Sequence, residues 1–217
     1  MTTPLPIEVK ICGLSTPETI DAAVDAGATH VGLVHYEKSP RHVDLEQAAK
    51  LRRRVPETVK VVLVVVGLQP EPLTRAWEVI RPDVIQFHGG ETPEWMKLVR
   101  QHLPVETWRS VGLRSAETLD NSRKFIGAAD RLLFDAPAKA LPGGNGVSFR
   151  WDILDGWEPY MPWILAGGLT ADNVTEAIRT TSAPMVDASS GLEDEPGVKN
   201  IGKIRDFVAA IRASASA

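Results

Sequence analysis

The chain lacks several features that would mark particular classes of protein. Cys12 is its one cysteine, so no disulfide can form within the chain, which is typical of a reducing compartment. The longest apolar run, residues 61–68, is too short to span a bilayer, and no targeting segment is recognisable at the N-terminus. We therefore expect a cytoplasmic protein with no membrane partner.

An excess of basic charge is also missing. The 217 residues include 24 Lys and Arg against 28 Asp and Glu, a formal net charge of −4. A chain with this balance has no overall field that would attract nucleic acid, and the basic residues 50–54 are expected to be one solvated helix face. Hydrophobic residues make up 43% and charged residues 24%, which excludes a disordered chain and favours an ordinary globular domain. No nucleic-acid partner is expected.

Eight short runs rich in Val, Ile and Leu alternate with segments of helical spacing, such as 16–26, 45–55, 71–80 and 199–211. A parallel strand buried on both faces has a nearly continuous apolar run, and each pair of such strands needs a crossover. Eight crossovers can close the sheet, so the pattern predicts an α/β protein, a single (βα)8 TIM barrel over residues 1–217 with a parallel eight-stranded core. The predicted strands are 7–12, 30–35, 59–66, 84–87, 105–111, 131–135, 163–166 and 185–188.

A doubly wound open sheet is the competing architecture, and it usually has a glycine-rich dinucleotide loop after its first strand. The first strand here ends in residues 11–14, ICGL, which do not fit G-x-G-x-x-G, and this favours the barrel. Two local signals predict helix starts, because residues 15–18 have the capping-box spacing from Ser15 and Asp44 is placed as an N-cap. The similar turns 13–16 and 168–171 are expected to open the first and seventh helices.

Polar side chains interrupt the apolar pattern where predicted strands end, which in such a barrel is the end that carries the chemistry. Strand alternation puts Lys10 with Cys12, and Gln86 with His88, on common faces. Each residue also has a simpler interpretation, since a lone cysteine is most often a small buried hydrophobe and a strand-end aspartate often caps a helix. Because several converge on one rim, we interpret them as a candidate active site: Cys12, Gln86, His88, Asp135 and Asp187.

Two turns rich in glycine and serine predict a site for a phosphorylated small molecule. The loops after the seventh and eighth strands hold phosphate in many barrels, through backbone N–H groups. The alternative is that their glycines only permit tight turns. A further glycine-rich loop, 142–146, is a candidate lid or second anion site, although such loops are also simply mobile. The predicted phosphate-binding residues are Gly167, Gly168, Ser189, Ser190 and Gly191.

In this order and spacing, the motifs resemble those of the phosphoribosylanthranilate isomerase family of tryptophan biosynthesis, over nearly the whole chain. The resemblance implies a TIM barrel that performs an Amadori rearrangement of N-(5-phosphoribosyl)anthranilate to an aminodeoxyribulose phosphate without cofactor or metal. The oligomeric state, monomer or homodimer, is left open. The motifs are KICGL (10–14), KSPR (38–41), QFHG (86–89), LFDA (133–136), LAGGL (165–169), VDASSGLE (186–193) and PGVK (196–199).

The resemblance implies that Asp135 is the general acid, Cys12 the general base, Arg41 the anchor of the anthranilate carboxylate and Asp187 a further active-site carboxylate. Ring opening needs a protonated acid, and the apolar residues before Asp135 are expected to favour its uncharged form. The thiol of Cys12 needs a neighbouring cation or a helix N-terminus to become a thiolate, and Lys10 is the candidate cation. Arginine suits the anchor because its guanidinium binds a carboxylate in bidentate fashion.

Four positions depart from the family pattern: Gly90, Arg109, Asn145 and Arg150 stand where aspartate, lysine, threonine and aspartate are more usual. None is a proposed acid or base, and they bear on the lid and on how substrate is held. A divergent sugar-phosphate-binding paralogue, with changed specificity or no turnover, is therefore the alternative.

Two other sugar-phosphate barrels compare less well. The related isomerase of histidine biosynthesis would use two aspartates, against which Cys12 argues, and indole-glycerol-phosphate synthase would need catalytic lysines that are not all recognisable. The tryptophans, including Trp108, Trp151 and Trp163, are expected to pack between elements rather than to stack on a ligand.

Overall fold

The computed structural model describes residues 7–135 and 151–214, in which eight parallel strands close into a barrel in sequence order. The predicted TIM-barrel class is confirmed, and each strand ends within one residue of its predicted bounds. A single domain over residues 1–217 stays a prediction. The strands are β1 (Glu8–Cys12), β2 (His30–His35), β3 (Lys60–Val65), β4 (Val84–Phe87), β5 (Glu106–Gly112), β6 (Arg131–Asp135), β7 (Trp163–Leu165) and β8 (Met185–Ala188).

Successive side chains of each strand point to opposite sides of the barrel wall. Val9 and Ile11 of β1 pack in the outer layer beneath the helices, whereas Lys10 and Cys12 face the interior. Leu133 of β6 also faces inward, on the same side of the strand as Asp135. The apolar centre of the barrel consists of Val62, Val84, Trp108, Leu133, Ile164, Ala166 and Met185.

Seven α-helices lie within the described residues and cover the barrel. The predicted N-cap Asp44 is confirmed, because its carboxylate accepts the backbone N–H of Gln47 at 2.7 Å. The first helix begins one residue later than predicted, since Thr16 rather than Ser15 is the N-cap and forms the capping box with Thr19. The helices are α1 (Pro17–Ala26), α2 (Leu45–Arg52), α3 (Pro70–Ile80), α4 (Pro93–His102), α5 (Ala116–Ser122), α6 (Val174–Thr181) and α7 (Ile201–Ser214).

The helix expected to open at residues 168–171 begins later, so that prediction is wrong. α6 starts at Val174, and the preceding segment is a turn that Asn173 stabilises by accepting the N–H of Thr170 at 2.9 Å and donating to the carbonyl of Gly168 at 3.0 Å. After β6, the described residues contain only the 3-10 helix Trp151–Leu154 where the pattern of eight strand–helix units implied an α-helix. The loop 142–146, with Asn145, and Arg150 lie outside the described residues.

A hairpin follows the 3-10 turn Ser190–Leu192 at the end of β8. Its antiparallel strands are β9 (Glu193–Glu195) and β10 (Val198–Lys199). Gly197 in its turn has φ of 89°, and a Cβ there would lie 2.3 Å from the carbonyl oxygen of Pro40. The glycine therefore allows the hairpin to pack against the loop after β2, at the carboxyl end of the barrel.

Charged and aromatic side chains close the opposite end of the barrel. Arg131 pairs with Glu8 and with Glu106, and its guanidinium lies 5.6 Å from the ring centre of the buried Trp108.

Trp163 packs edge-on against Trp157, with ring centres 5.4 Å apart. Trp108, Trp151 and Trp163 thus contribute to packing, as the sequence predicts. None of the described helices combines the length and apolar composition needed to cross a membrane.

Candidate active site

Cys12 lies at the carboxyl end of β1 with its side chain turned into the barrel mouth. It is 7% exposed and packs with Val34 and Val64 of the neighbouring strands. Gly32 of β2 pairs with Cys12 in the parallel register. A Cβ at Gly32 would lie 2.9 Å from the Cys12 Sγ and 3.1 Å from the Lys10 Cε, so the absent side chain provides the space that both side chains occupy.

A buried ion pair lies beside this thiol. The Lys10 Nζ donates to the Asp187 Oδ1 at 2.8 Å, and the two residues are register partners on β1 and β8. Burial acts to lower the pKa of Lys10, but the charge of Asp187, with a further contribution from Cys12, raises it above its usual value. Lys10 therefore remains an ammonium ion, whose charge Asp187 neutralises inside the barrel.

The environment of Cys12 favours its protonated form. Burial raises the pKa of the thiol, and the positive charge of Lys10, which acts in the opposite direction, is too weak to reverse this shift. Lys10 thus lowers the pKa of the thiol, as predicted, but by less than burial raises it. The resting group at neutral pH is nevertheless a thiol rather than a thiolate.

Asp135 lies at the carboxyl end of β6 and faces the same opening, next to His88. The His88 Nε2 lies 3.8 Å from the Asp135 Oδ2, beyond direct hydrogen-bond length. Burial, followed by the charges of Lys10 and Arg109, lowers the pKa of His88 to about 4. A neutral imidazole therefore stands beside the carboxyl group at neutral pH.

Gln86 lies one inward position below His88, on the common face that alternation predicts. Its Nε2 donates to the Ser110 Oγ at 2.9 Å. Its Oε1 is buried and has no hydrogen-bond partner among the residues that the structure describes. An unsatisfied buried acceptor is costly, and this one remains available to a donor from a ligand or from water.

The guanidinium of Arg41 is held by a carboxylate of the chain itself. Its Nε and Nη2 donate to the two carboxylate oxygens of Glu193 at 2.7 and 2.6 Å. Lys199 also pairs with Glu193 and donates to the carbonyl oxygen of Ser189 at 3.2 Å. Although burial opposes ionisation, Arg41 and Lys199 hold the pKa of Glu193 below its usual value. This network fixes Arg41 at the barrel mouth.

The two loops predicted to bind phosphate lie against each other. Gly167 and Gly168 have φ of 90° and 67°, a region that favours glycine. In the loop after β8, a Cβ at Gly191 would lie 2.1 Å from the carbonyl oxygen of Leu169 in the loop after β7. Glycine at 191 therefore permits the close contact between the loops.

Most of the predicted site residues line one cavity, while four phosphate-loop residues, Gly167, Gly168, Ser190 and Gly191, are not part of its lining. The sequence did not predict the apolar side of this cavity, which consists of Val34, Val64 and Val66, or its residues Tyr36 and Ser39. Val34 and Val64 could have been found from strand alternation, which points both side chains inward. No three His, Cys, Asp or Glu side chains within the described ranges converge as a metal site. The cavity is lined by Cys12, Val34, Tyr36, Ser39, Arg41, Val64, Val66, Gln86, His88, Asp135, Asp187 and Ser189.

Comparisons with known proteins agree on one family. The family model described as N-(5'phosphoribosyl)anthranilate (PRA) isomerase matches residues 9–210. N-(5'-phosphoribosyl)anthranilate isomerase from Erythrobacter litoralis is 63% identical over 204 residues, covering 94% of this chain and 98% of the relative. The protein of that name from Rhodospirillum centenum is 47% identical, with 94% and 98% covered.

Solved structures give the same result. Phosphoribosylanthranilate isomerase from Thermotoga maritima has a TM-score of 0.85 at 28% identity, covering 95% of this chain and 99% of that one. TrpF from Jonesia denitrificans has a TM-score of 0.82 at 34% identity, with 96% and 98% covered. A further phosphoribosylanthranilate isomerase structure, a complex with reduced 1-(o-carboxyphenylamino)-1-deoxyribulose 5-phosphate, has a TM-score of 0.80 at 28% identity, with 95% and 99% covered.

The buried thiol predicts slow, alkaline-shifted alkylation. Because burial raises the pKa of Cys12, the rate of its reaction with iodoacetamide should still be rising above pH 9, whereas the urea-unfolded chain should show a midpoint at about 8.5. Cys12 is the single cysteine, so mass spectrometry reads the reaction directly. A midpoint in the native protein below that of the unfolded chain would contradict the raised pKa of Cys12.

Proposed function

Because this chain belongs to the N-(5'-phosphoribosyl)anthranilate isomerase family, we propose that it catalyses the Amadori rearrangement of N-(5'-phosphoribosyl)anthranilate to 1-(2-carboxyphenylamino)-1-deoxyribulose 5-phosphate in tryptophan biosynthesis. The observation that carries the proposal is the shared cavity, which brings a thiol and a carboxyl group from opposite parts of the sequence to one opening. Such a pair can supply both proton transfers of an aldose–ketose isomerisation.

Asp135 is the acid of the first step. It donates a proton to the ring oxygen of the ribose, the bond between that oxygen and C1 breaks, and the anilino nitrogen becomes an iminium nitrogen. The neutral imidazole of His88 lies beside this carboxyl group, with its Nε2 3.8 Å from the Asp135 Oδ2. Ring opening requires this carboxyl group in its protonated form.

Cys12 is the base of the second step. It removes the proton from C2 of the iminium, and the electron pair of that C–H bond forms the C1–C2 double bond of an enolamine, which then tautomerises to the ketose. The thiol must first lose its own proton, and the positive iminium together with Lys10 favours that loss. The positive iminium of the substrate thus supplies part of the charge that stabilises the thiolate.

The remaining site residues hold the substrate. Gly167, Gly168, Ser189, Ser190 and Gly191 bind its phosphate through N–H and hydroxyl groups. Arg41, which Glu193 holds at the barrel mouth, binds the anthranilate carboxylate. Gln86, His88 and Asp187 line the cavity around the sugar. One chain supplies both the acid and the base, so this chemistry needs no residue from a second copy, and the reduced Cys12 suits a cytoplasmic enzyme.

Replacing either proton-transfer residue should reduce turnover sharply. Asp135→Asn and Cys12→Ser are each expected to lower kcat by about 100- to 10,000-fold, the usual contribution of one positioned acid or base, with a much smaller change in KM. The assay generates the unstable substrate in place and follows the loss of anthranilate fluorescence. Asp130→Asn, at the opposite end of β6, is the matched control and should keep kcat.

Two outcomes would contradict the proposal. Unchanged kcat in either variant would remove that residue from its role. Absence of fluorescence loss with the unmodified protein, combined with saturable binding of a phosphorylated sugar, would indicate a paralogue that binds without turnover.

The space left by Gly32 predicts a second sensitive position. Gly32→Ala would force its Cβ against the Cys12 Sγ and the Lys10 Cε, so kcat should fall by tenfold or more, on the order expected for a catalytic group displaced by a fraction of an ångström. Overpacking should also cost about 1–3 kcal/mol of unfolding free energy. Gly202→Ala is the control, because Gly202 is an exposed residue of α7 whose Cβ would approach only the Asn200 Oδ1. Equal kcat in both variants would show that the thiol position is unimportant.

A further inference from the structure

The carboxylate of Glu91 joins three adjacent strand ends next to the proposed site. Its side chain is 2% exposed. It accepts the N–H of Gly67 at 2.7 Å, the N–H of Gly89 at 2.8 Å and the Arg109 Nη1 at 2.8 Å. These donors follow β3, follow β4 and belong to β5, respectively. Because every bond is made to one buried anion, the strand ends are held in a fixed relation to one another.

Arg109 completes this arrangement from β5. Its Nη2 donates to the carbonyl oxygen of Gly89 at 2.7 Å, while its Nη1 is bonded to Glu91. The guanidinium also lies 5.0 Å from the ring centre of Phe125. Glu91 thus binds the N–H of Gly89 and Arg109 binds its C=O, so the peptide groups on both sides of Gly89 are held by one ion pair.

His88 directly precedes this fixed residue. Its backbone N–H donates to the carbonyl oxygen of Val65 at 2.9 Å, and its imidazole lies beside Asp135. We propose that Glu91 and Arg109 form a positioning pair for the isomerisation, which holds the backbone of Gly89 and thereby keeps the imidazole of His88 beside Asp135. This inference rests on the proposed function for its kinetic consequence, but its geometric part concerns His88 alone.

Arg109 also contributes to the electrostatic surroundings of His88. After burial, the positive charges of Lys10 and Arg109 are the causes that lower the pKa of His88 to about 4. Arg109 is the smallest of these causes, so loss of its charge should raise that pKa only part of the way to the ordinary value of about 6.5. Among the described residues, the other titratable and charged groups that line the openings around His88 are Cys12, Tyr36, Arg41, Arg114, Lys124, Asp135 and Asp187, with Glu91 behind Gly89.

Arginine suits this position better than lysine because its planar fork presents two donors at a fixed spacing. Here the two donors meet a carboxylate and a carbonyl at once. A lysine ammonium would keep the positive charge but not this paired geometry. Arg109→Lys therefore tests the paired hydrogen-bond geometry separately from the positive charge.

The test combines kinetics with the titration of His88. Arg109→Gln should lower kcat by about tenfold to 100-fold with little change in KM, since a displacement near 1 Å at a catalytic site costs on that order. By NMR, the titration midpoint of His88, assigned with a His88→Gln variant, should rise above its value in the unmodified protein, because one of the two positive charges that lower its pKa is removed. Arg109→Lys should keep the low midpoint and recover only part of kcat.

Arg131→Gln is the matched control, because Arg131 is also a partly buried arginine paired with glutamates, but at the opposite end of the barrel. It should lower Tm while leaving kcat and the His88 titration unchanged. The proposal is overturned if Arg109→Gln leaves the His88 midpoint where it was, whatever happens to kcat, or if Arg109→Lys restores full kcat. If the unmodified protein fails to turn over substrate, the proposed function fails, and the His88 titration still decides the geometric inference.

Discussion

The buried ion pair between Lys10 and Asp187 is the interaction on which the site depends. It joins β1 to β8, the seam at which the barrel closes, and places a positive and a negative charge inside the barrel directly beside the thiol of Cys12. Removal of one partner would leave the other charge buried and uncompensated, a change that typically costs about 3–5 kcal/mol. The barrel closure and the electrostatics of its mouth are therefore linked through the same two side chains.

The fold could be predicted from the sequence because each buried parallel strand is nearly continuous in apolar residues, as in β3 and β4. The errors occur where local signals compete. Ser15 and Thr16 are both good N-caps, and the position of Pro17 at the first helical turn favours the second. At residues 168–171, Asn173 stabilises a turn by hydrogen bonds, so glycine-rich spacing alone misplaced the start of α6.

The candidate site was partly predictable for a similar reason. Cys12, Gln86, His88, Asp135 and Asp187 stand at strand ends, and parallel strands bring those ends together. The ionic partners were not predictable, because Glu193 reaches Arg41 across 152 positions of sequence, by way of a hairpin whose packing depends on Gly197. The protonation state of Cys12 was equally beyond the sequence, since it depends on the balance between burial and the charge of Lys10.

The central claim is that Asp135 and Cys12 act at two different steps, and an isotope experiment tests it most directly. With substrate deuterated at C2, the Cys12→Ser variant should show a larger primary isotope effect on kcat than the unmodified protein, because removal of the C2 proton becomes limiting. Asp135→Asn should show a suppressed effect, because ring opening limits its rate. Equal isotope effects in the two variants would contradict the division of roles.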